Sequence, residues 1–353
     1  MLGPLTRPWW AARVGPSAAF LVATLRVVSI VALTFVGLLL VTFLIGRVVP
    51  VDPVLAAVGD RAPAEVYERV RVELGLHLPL HEQFRIYLTK VLHGDFGRSV
   101  LTANPVLADI RRVFPATLEL ATLGTLVGVF LGIPAGVVAA TRQGRWIDHV
   151  VRVIGLLGYS VPVFWLGLMG LLLFYAHLGW AAGPGRLDVA FEDLVTPVTG
   201  VILLDSALQG EWSVFRNAFA HIVLPAAVLG SFSLAYISRM TRSFMLEQLG
   251  QEYVTTARVK GLSEQAVIWR HAMGNVRVPL ITVVALSYAN LLEGSVLTET
   301  VFAWPGLGMY ITNSLLSADM NAVLGGTVVV GTVFIGLNLL SDLLYRAADP
   351  RAR

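Results

Sequence analysis

Five basic residues, Arg258, Lys260, Arg270, His271 and Arg277, stand around a single glycine, Gly261, in a stretch of thirty residues that separates two apolar runs. Side chains of this kind present charge to a partner and do not assemble a catalytic set. Just ahead of the glycine, Thr255, Thr256 and Ala257 are small enough to let another protein surface approach closely, and Arg258 and Lys260 put charge at the rim. Apolar positions at Leu249, Tyr253 and Ala257 predict a helix over 247–260. Gly261 then permits a reversal, and Ser263 with Glu264 and Gln265 opens a second helix. From the residues alone two readings stay open: a docking corner, or a solvated basic loop of the kind that gathers on the cytoplasmic side of membrane proteins.

Other chemistries find little support. The chain has no HExxH, no GxSxG and no pair of aspartates within an apolar run. It has no GxxxxGK[ST] phosphate loop, so it carries no nucleotide site of that type. Cysteine is absent, which excludes disulfides and thiolate metal sites. His77 and His81 have the spacing of metal ligands on a helix, but Pro79 lies between them and no third ligand is near, so a surface turn is expected there and no metal. No catalytic residue is assigned.

The elements that must position the basic corner are membrane spans. At 56% hydrophobic and 14% charged residues, with a mean hydropathy of +0.73, the 353 residues have too little polar surface to cover a soluble globule. The net charge of +3 is small and dispersed, which argues against nucleic acid as a partner and leaves the lipid bilayer as the surroundings. A hydrocarbon core of about 30 Å takes about 20 apolar residues in helix. Six stretches qualify: 27–46, 120–141, 153–185, 217–238, 278–292 and 320–341. The third is longer than one crossing needs, and Pro162 with the break at 184–185 points to one tilted or kinked helix. The first is too long, and lacks a small-residue cleavage site, for a removable signal, and is expected to remain as an anchor.

Fifteen of the 26 Lys and Arg residues fall on one side if both termini are cytoplasmic, and nine of the other eleven lie in a long segment that translocates regardless of charge. The expected organisation is a cytoplasmic tail over 1–26, a first span over 27–46 and an extracytoplasmic segment over 47–117. A transmembrane core follows over 118–343, with a cytoplasmic loop at 242–277, and then a tail over 344–353. Within the outer segment, Tyr67, Val70 and Leu74 and then Phe84, Tyr87 and Leu88 lie at helical spacing on either side of "GLHLPLHEQ", and "HGDFGRSV" turns the chain toward the membrane. A small folded cap is expected.

The stretch "EYVTTARVKGLSEQAVIWRHAMGNVRVP" resembles the cytoplasmic signature loop of binding-protein-dependent ATP-binding-cassette importers, in the version carried by dipeptide and oligopeptide permeases. "GDFGRS" before the second span, "ETVFAWPGLG" after the fifth and the closing "NLLSDLLYRAADPRAR" are similar to the first permease subunit of those systems, so the resemblance covers nearly the whole chain. It implies an all-α integral membrane protein with the six-helix fold of type I importer permeases. The loop would then be the coupling element that docks into an ATPase, carried by Glu252, Thr255, Thr256, Ala257, Arg258, Lys260, Gly261, Leu262, Arg270 and His271. Gly261 matches the motif's glycine, Ala257 the alanine before it and Pro279 its closing proline; the glutamate usual in other importers falls on Thr255. The implied partners are a second homologous permease, two ATPase subunits that bind ATP and Mg, and an extracytoplasmic solute-binding protein. The implied place is the bacterial inner membrane, and the implied activity is ATP-driven import of di- or oligopeptides by alternating access, without enzymatic activity or a cofactor in this chain. Nickel, glutathione or another non-peptide cargo fits the same frame. An ion-coupled secondary transporter is the reading from another class, and no internal repeat supports it.

Two outer features bear on the path. Glu293 interrupts the fifth apolar run, and an ionisable group there either meets a cationic cargo group or reaches the interface or the sister subunit. Trp304, Pro305 and Gly306 in "WPGLG" either rim a gate or make a tight turn before an interfacial helix. His221 and Asn290 read as helix-to-helix hydrogen bonders, and Trp9, Trp10, Trp180 and Trp304 as interfacial belts.

Overall fold

The computed structural model describes residues 16–48, 53–59, 61–73 and 75–348. Trp9, Trp10, Leu74, the first fifteen residues of the N-terminal tail and the last five of the C-terminal tail lie outside them. The described residues form helices and no strand, and divide into two compact units with the boundary between His93 and Gly94.

The first unit holds α1 (Pro16–Val48), α2 (Pro53–Val58), α3 (Ala64–Glu73) and α4 (Leu80–Leu92). Along α1 the apolar side chains remain outside, Leu33 at 75% exposure, as suits a helix whose solvent is lipid. Leu39 and Phe43 are buried exceptions, and the Phe43 ring lies 5.4 Å from Phe84 and 5.7 Å from Tyr87 on α4. Burial pushes the Tyr87 phenol up to about 12. The predicted break falls where expected: Gln83 donates to the Leu78 carbonyl at 2.8 Å and ties the turn ahead of α4 to the helix. The boundary at His93 lies inside the expected outer segment, so residues 94–117 fold with the second unit.

In that second unit α5 (Val106–Val127) passes through a wide π turn at Gly128–Gly132 into α6 (Ile133–Thr141). The span so formed runs over Val106–Thr141, starting well before the expected residue 120. The expectation treated Glu119 as a boundary; the structure keeps it inside the helix because Arg186 neutralises it. Gly124, Gly128, Gly132 and Gly136 recur every four residues and let this helix lie almost against the backbone of α10 (Trp212–Leu249). A Cβ at Gly136 would sit 2.5 Å from the Ser238 carbonyl oxygen, so no larger residue fits that crossing.

The third span departs from the single kinked helix expected. α7 (Trp146–Ser160) and α8 (Val163–Gly170, continued by a π turn to His177) meet at 99°. Pro162 follows Val161, which is held extended at φ −82°, ψ 127°, the conformation a following proline imposes. Among the described residues, five helices are therefore long and apolar enough to cross a membrane, or six with this bent pair counted as one span. The remaining elements are a 3-10 turn at Val189–Phe191, α9 (Ile202–Gln209), α11 (Glu252–Val259), α12 (Glu264–Ala266), a π turn at Val267–Ala272, α13 (Met273–Val301), α14 (Leu307–Leu316) and α15 (Met320–Ala348). From Glu264 to Val301 the chain is one continuous helical span. Its core half packs on α10, where Ser233 and Ser287 share a 2.9 Å hydrogen bond.

Candidate functional site

The candidate residues gather at the two ends of the span Glu264–Val301. At its N-terminal end the predicted corner forms, with one shift. Residues 247–249 complete α10, and the short helix α11 starts afresh at Glu252. Gly261 takes φ +78°, a left-handed conformation that glycine adopts without steric cost, and Ser263 caps the next turn by accepting the Ala266 N–H at 3.3 Å. Beneath the corner Val254, Ala257 and Val267 make a small buried core. Ala257 is thus interior packing and is not part of a surface offered to a partner. The faces that do point outward carry Glu252, Thr255, Thr256, Val259, Lys260 and Leu262, with Val259 84% exposed. Arg258 is outside too, but its charge is committed: it bridges the corner to Glu264 through 2.8 and 3.3 Å bonds. Arg270 is exposed and His271 half-buried one turn further on.

The C-terminal end is built in the opposite way. Glu299 is fully buried, and its carboxylate accepts from Thr117 Oγ1 at 2.7 Å, Ser295 Oγ at 3.0 Å and the Met309 N–H at 3.0 Å. The chain then leaves the helix, turns through Ala303 at φ 47°, and folds "WPGLG" back over this carboxylate. Gly306 sits so close that a Cβ there would lie 2.5 Å from the Glu299 carboxylate. Thr117, besides donating to Glu299, accepts the Leu307 N–H at 2.8 Å. Trp304 is fully buried and donates its indole N–H to the Ala116 carbonyl at 2.9 Å. The expectation of Trp304 as a belt residue is therefore corrected: an indole with a satisfied N–H in a closed site is an anchor. Trp180, by contrast, is 75% exposed.

A second buried acid, Glu119, stands two residues along α5 from Thr117. Glu119 accepts from Arg186 Nη2 at 2.5 Å and Nε at 3.2 Å, and from the Leu203 N–H at 2.9 Å, while the same guanidinium donates to the Gly200 carbonyl and lies 5.7 Å from the Trp304 ring. Asp205 holds the intervening loop by accepting the N–H groups of Val198, Thr199 and Gly200 and the Thr199 hydroxyl. Burial acts to raise the Asp205 pKa, but these donors outweigh it and hold the carboxyl below its usual range. His221, expected to bond across helices, instead donates from Nδ1 within its own helix to the Asn217 carbonyl at 2.9 Å and faces Asp188 of the loop at 3.4 Å. Asn290 is exposed.

Glu293 lies between the two ends. It is exposed on α13 and lines an otherwise largely apolar cavity of about 160 Å³ with Thr117, Val296, Gly308 and Phe334. Sequence reasoning singled out this acid and passed over Glu299, six residues on, and Glu119. The rule that flagged Glu293, an ionisable group at an apolar run, was applied to neither: Glu119 was taken as the end of a span, and Glu299 was placed beyond the fifth span, in the "ETVFAWPGLG" that follows it.

The chain matches the family described as the binding-protein-dependent transport system inner membrane component over residues 132–353, and the N-terminal part of such components over 19–121. It is 45% identical over 319 residues to the probable D,D-dipeptide transport system permease protein DdpB of Escherichia coli K12, covering 90% of this chain and 94% of that protein. To the dipeptide transport system permease protein DppB of the same organism it is 43% identical, over 93% of this chain and 98% of that protein. To the di/tripeptide permease protein DppB of Pseudomonas aeruginosa it is 41% identical, over 91% and 95%. Among solved structures it is similar to an inward-facing form of the MetNI methionine ABC transporter, at 18% identity and a TM-score of 0.49, covering 66% of this chain and 93% of that one, a likeness too distant to carry an argument. With more than half its length matched by the family model, and relatives above 40% identity along nine-tenths of it, the chain belongs to the inner membrane components of binding-protein-dependent transport systems.

Proposed function

We propose that this chain is the permease subunit through which a binding-protein-dependent importer passes di- and oligopeptides across the inner membrane, with the α11–α12 corner as its contact to an ATPase. The observation that carries the reading is that corner. It is a two-helix projection whose outward faces are small, apolar and basic, and it is joined without a break to a 38-residue spanning helix. A force applied to such a corner is delivered along the axis of α13 to the Glu299 site. Peptide cargo is supported by the names of the relatives, which are dipeptide, D,D-dipeptide and di/tripeptide permeases.

In this account a solute-binding protein delivers the peptide on the outside, this chain and a sister permease line the path, and two ATPases bind ATP and Mg. Both termini and the corner face the cytoplasm. Peptide and ATP each favour a different conformation of the pair, because a ligand that binds two states equally shifts neither. Glu293 is a candidate for meeting the peptide's ammonium group, since it is an exposed carboxylate on an apolar helix beside a cavity.

The test is uptake of a labelled dipeptide into proteoliposomes holding the whole complex, with binding protein outside and ATP within. The reading expects uptake that stops without ATP or without the binding protein. Uptake that continues without ATP and responds to an ion gradient would replace it with a secondary transporter.

A further inference from the structure

Beside the corner, where the span Glu264–Val301 meets its first apolar residues, Ser263, Gln265, Ala266, Trp269, Arg270 and Arg277 line a wide groove of about 600 Å³. We infer that this groove holds the phosphate of an anionic phospholipid headgroup, with Arg270 and Arg277 as its ligands and Trp269 as the anchor at the lipid boundary.

Three observations converge on an anion at a membrane surface. The first is that the two guanidiniums are exposed and, among the described residues, neither is in an ion pair. Four other cations on the same side of the unit are engaged: Arg152 and Arg242 meet Asp148, Arg239 lies 5.2 Å from the Tyr159 ring, and Arg258 clamps Glu264; Arg142, Arg145 and Lys260 are, among the described residues, unpaired like these two, but do not line the groove. The second is their placement. Arg270 stands in the π turn and Arg277 in the first turns of α13, and the two line one groove. A phosphodiester, whose two non-bridging oxygens share one negative charge, offers an acceptor to each of two such forks. The third is depth. Arg277 directly precedes the apolar run that begins at Val278, and Trp269, half exposed, lies two turns back, which is the arrangement of a cation and an amphipathic ring at the headgroup level.

Lipid is favoured over a protein surface because Trp269, Arg270 and Arg277 stand on the spanning helix itself, whereas the exposed small and apolar residues of the corner, Thr255, Thr256, Val259 and Leu262, do not line the groove. The inference needs neither peptide as cargo nor the ATPase contact, so its failure and theirs can be told apart.

The experiment uses the full chain, purified in mild detergent and titrated with dioleoyl phosphatidylglycerol or dioleoyl phosphatidylcholine, with bound lipid counted by native mass spectrometry. One cation at an anionic surface is worth about 5-fold in affinity. Arg270→Gln and Arg277→Gln are therefore each expected to weaken phosphatidylglycerol binding roughly 5-fold, and the double variant about 30-fold, with phosphatidylcholine binding unchanged. Arg145→Gln, which removes a cation elsewhere, should leave binding at the wild-type level, and an unaltered thermal unfolding midpoint of the double variant excludes misfolding. Equal phosphatidylglycerol binding by wild type and the double variant overturns the proposal. So does displacement of the lipid by millimolar inorganic phosphate, which marks a free-anion site. Loss of co-purifying ATPase from the double variant with lipid binding intact also overturns it, by assigning the groove to a protein.

Discussion

One helix ends in two different ways. At its C-terminal end Glu299, Thr117, Ser295, Trp304 and the backbone of "WPGLG" are closed into a site where the carboxylate, both hydroxyls and the indole N–H have partners and only glycine fits at 306 and 308. At its N-terminal end the chain makes a corner over a core of three small or branched side chains, with its charges and its apolar side chains outside. The first arrangement resists deformation, because moving any member orphans a buried donor or acceptor. The second costs little to expose and leaves its surface available. A helix anchored at one end and presented at the other can transmit a displacement, and this is the mechanical content of assigning the corner to a partner.

The contrast can be broken first at the closed end. Glu299→Ala leaves three donors without an acceptor and is expected to destabilise the chain by about 4 kcal/mol, read as a lowered thermal unfolding midpoint in detergent. Arg186→Ala strands the Glu119 carboxylate, which is 2% exposed against 17% for the guanidinium. The partial exposure of the arginine puts that loss near the low end for buried pairs, about 3 kcal/mol.

Asp205 supplies a pH test of the same end. Its folded-state pKa lies below the ordinary carboxylate value, so its contribution is fully present above that ordinary value and is lost as pH falls through it toward the lower folded pKa. Asp205→Asn is expected to cost about 2 kcal/mol at neutral pH by replacing charged hydrogen bonds with neutral ones, and to flatten the acid limb of stability against pH. An acid limb identical to wild type would show that Asp205 does not hold the loop.

How much of this was legible in the sequence follows from what each feature depends on. The spans were visible because burial in lipid demands long apolar helices, and the corner because glycine and a serine cap act locally. The 99° bend at Pro162 was half visible: proline announced a break, but its angle depends on what α7 and α8 pack against. Glu119 was misread as a boundary and Glu299 passed over as lying beyond the fifth span, because their partners, Arg186 and Thr117, lie 67 and 182 residues away in sequence. Ala257 was read as surface because a small residue looks the same in sequence whether it admits a partner or packs beneath its own helix. Satisfaction of a buried charge is a property of the folded neighbourhood, and periodicity carries no record of it.

The presented end should respond weakly to stability tests and strongly to partner tests. Gly261→Ala forces a side chain into φ +78° where nothing crowds it, so only backbone strain remains, about 1 kcal/mol. Arg258→Ala removes a solvent-exposed pair and is expected to change stability by less than about 0.5 kcal/mol. A loss of several kcal/mol in either variant would mean that the corner is as tightly built as the Glu299 site, and the comparison would fail.

The most direct measurement is co-purification of ATPase subunits with the full chain, comparing wild type with the paired substitution Val259→Asp and Leu262→Asp. Both side chains point outward, at 84% and 42% exposure, so the fold does not depend on them, whereas Ala257 would confound the test by unfolding the corner. The account expects the ATPases to be lost from the variant while its unfolding midpoint stays at the wild-type value. ATPases retained in wild-type proportion by a variant charged at both positions would contradict it, and the corner would then be a solvated basic loop.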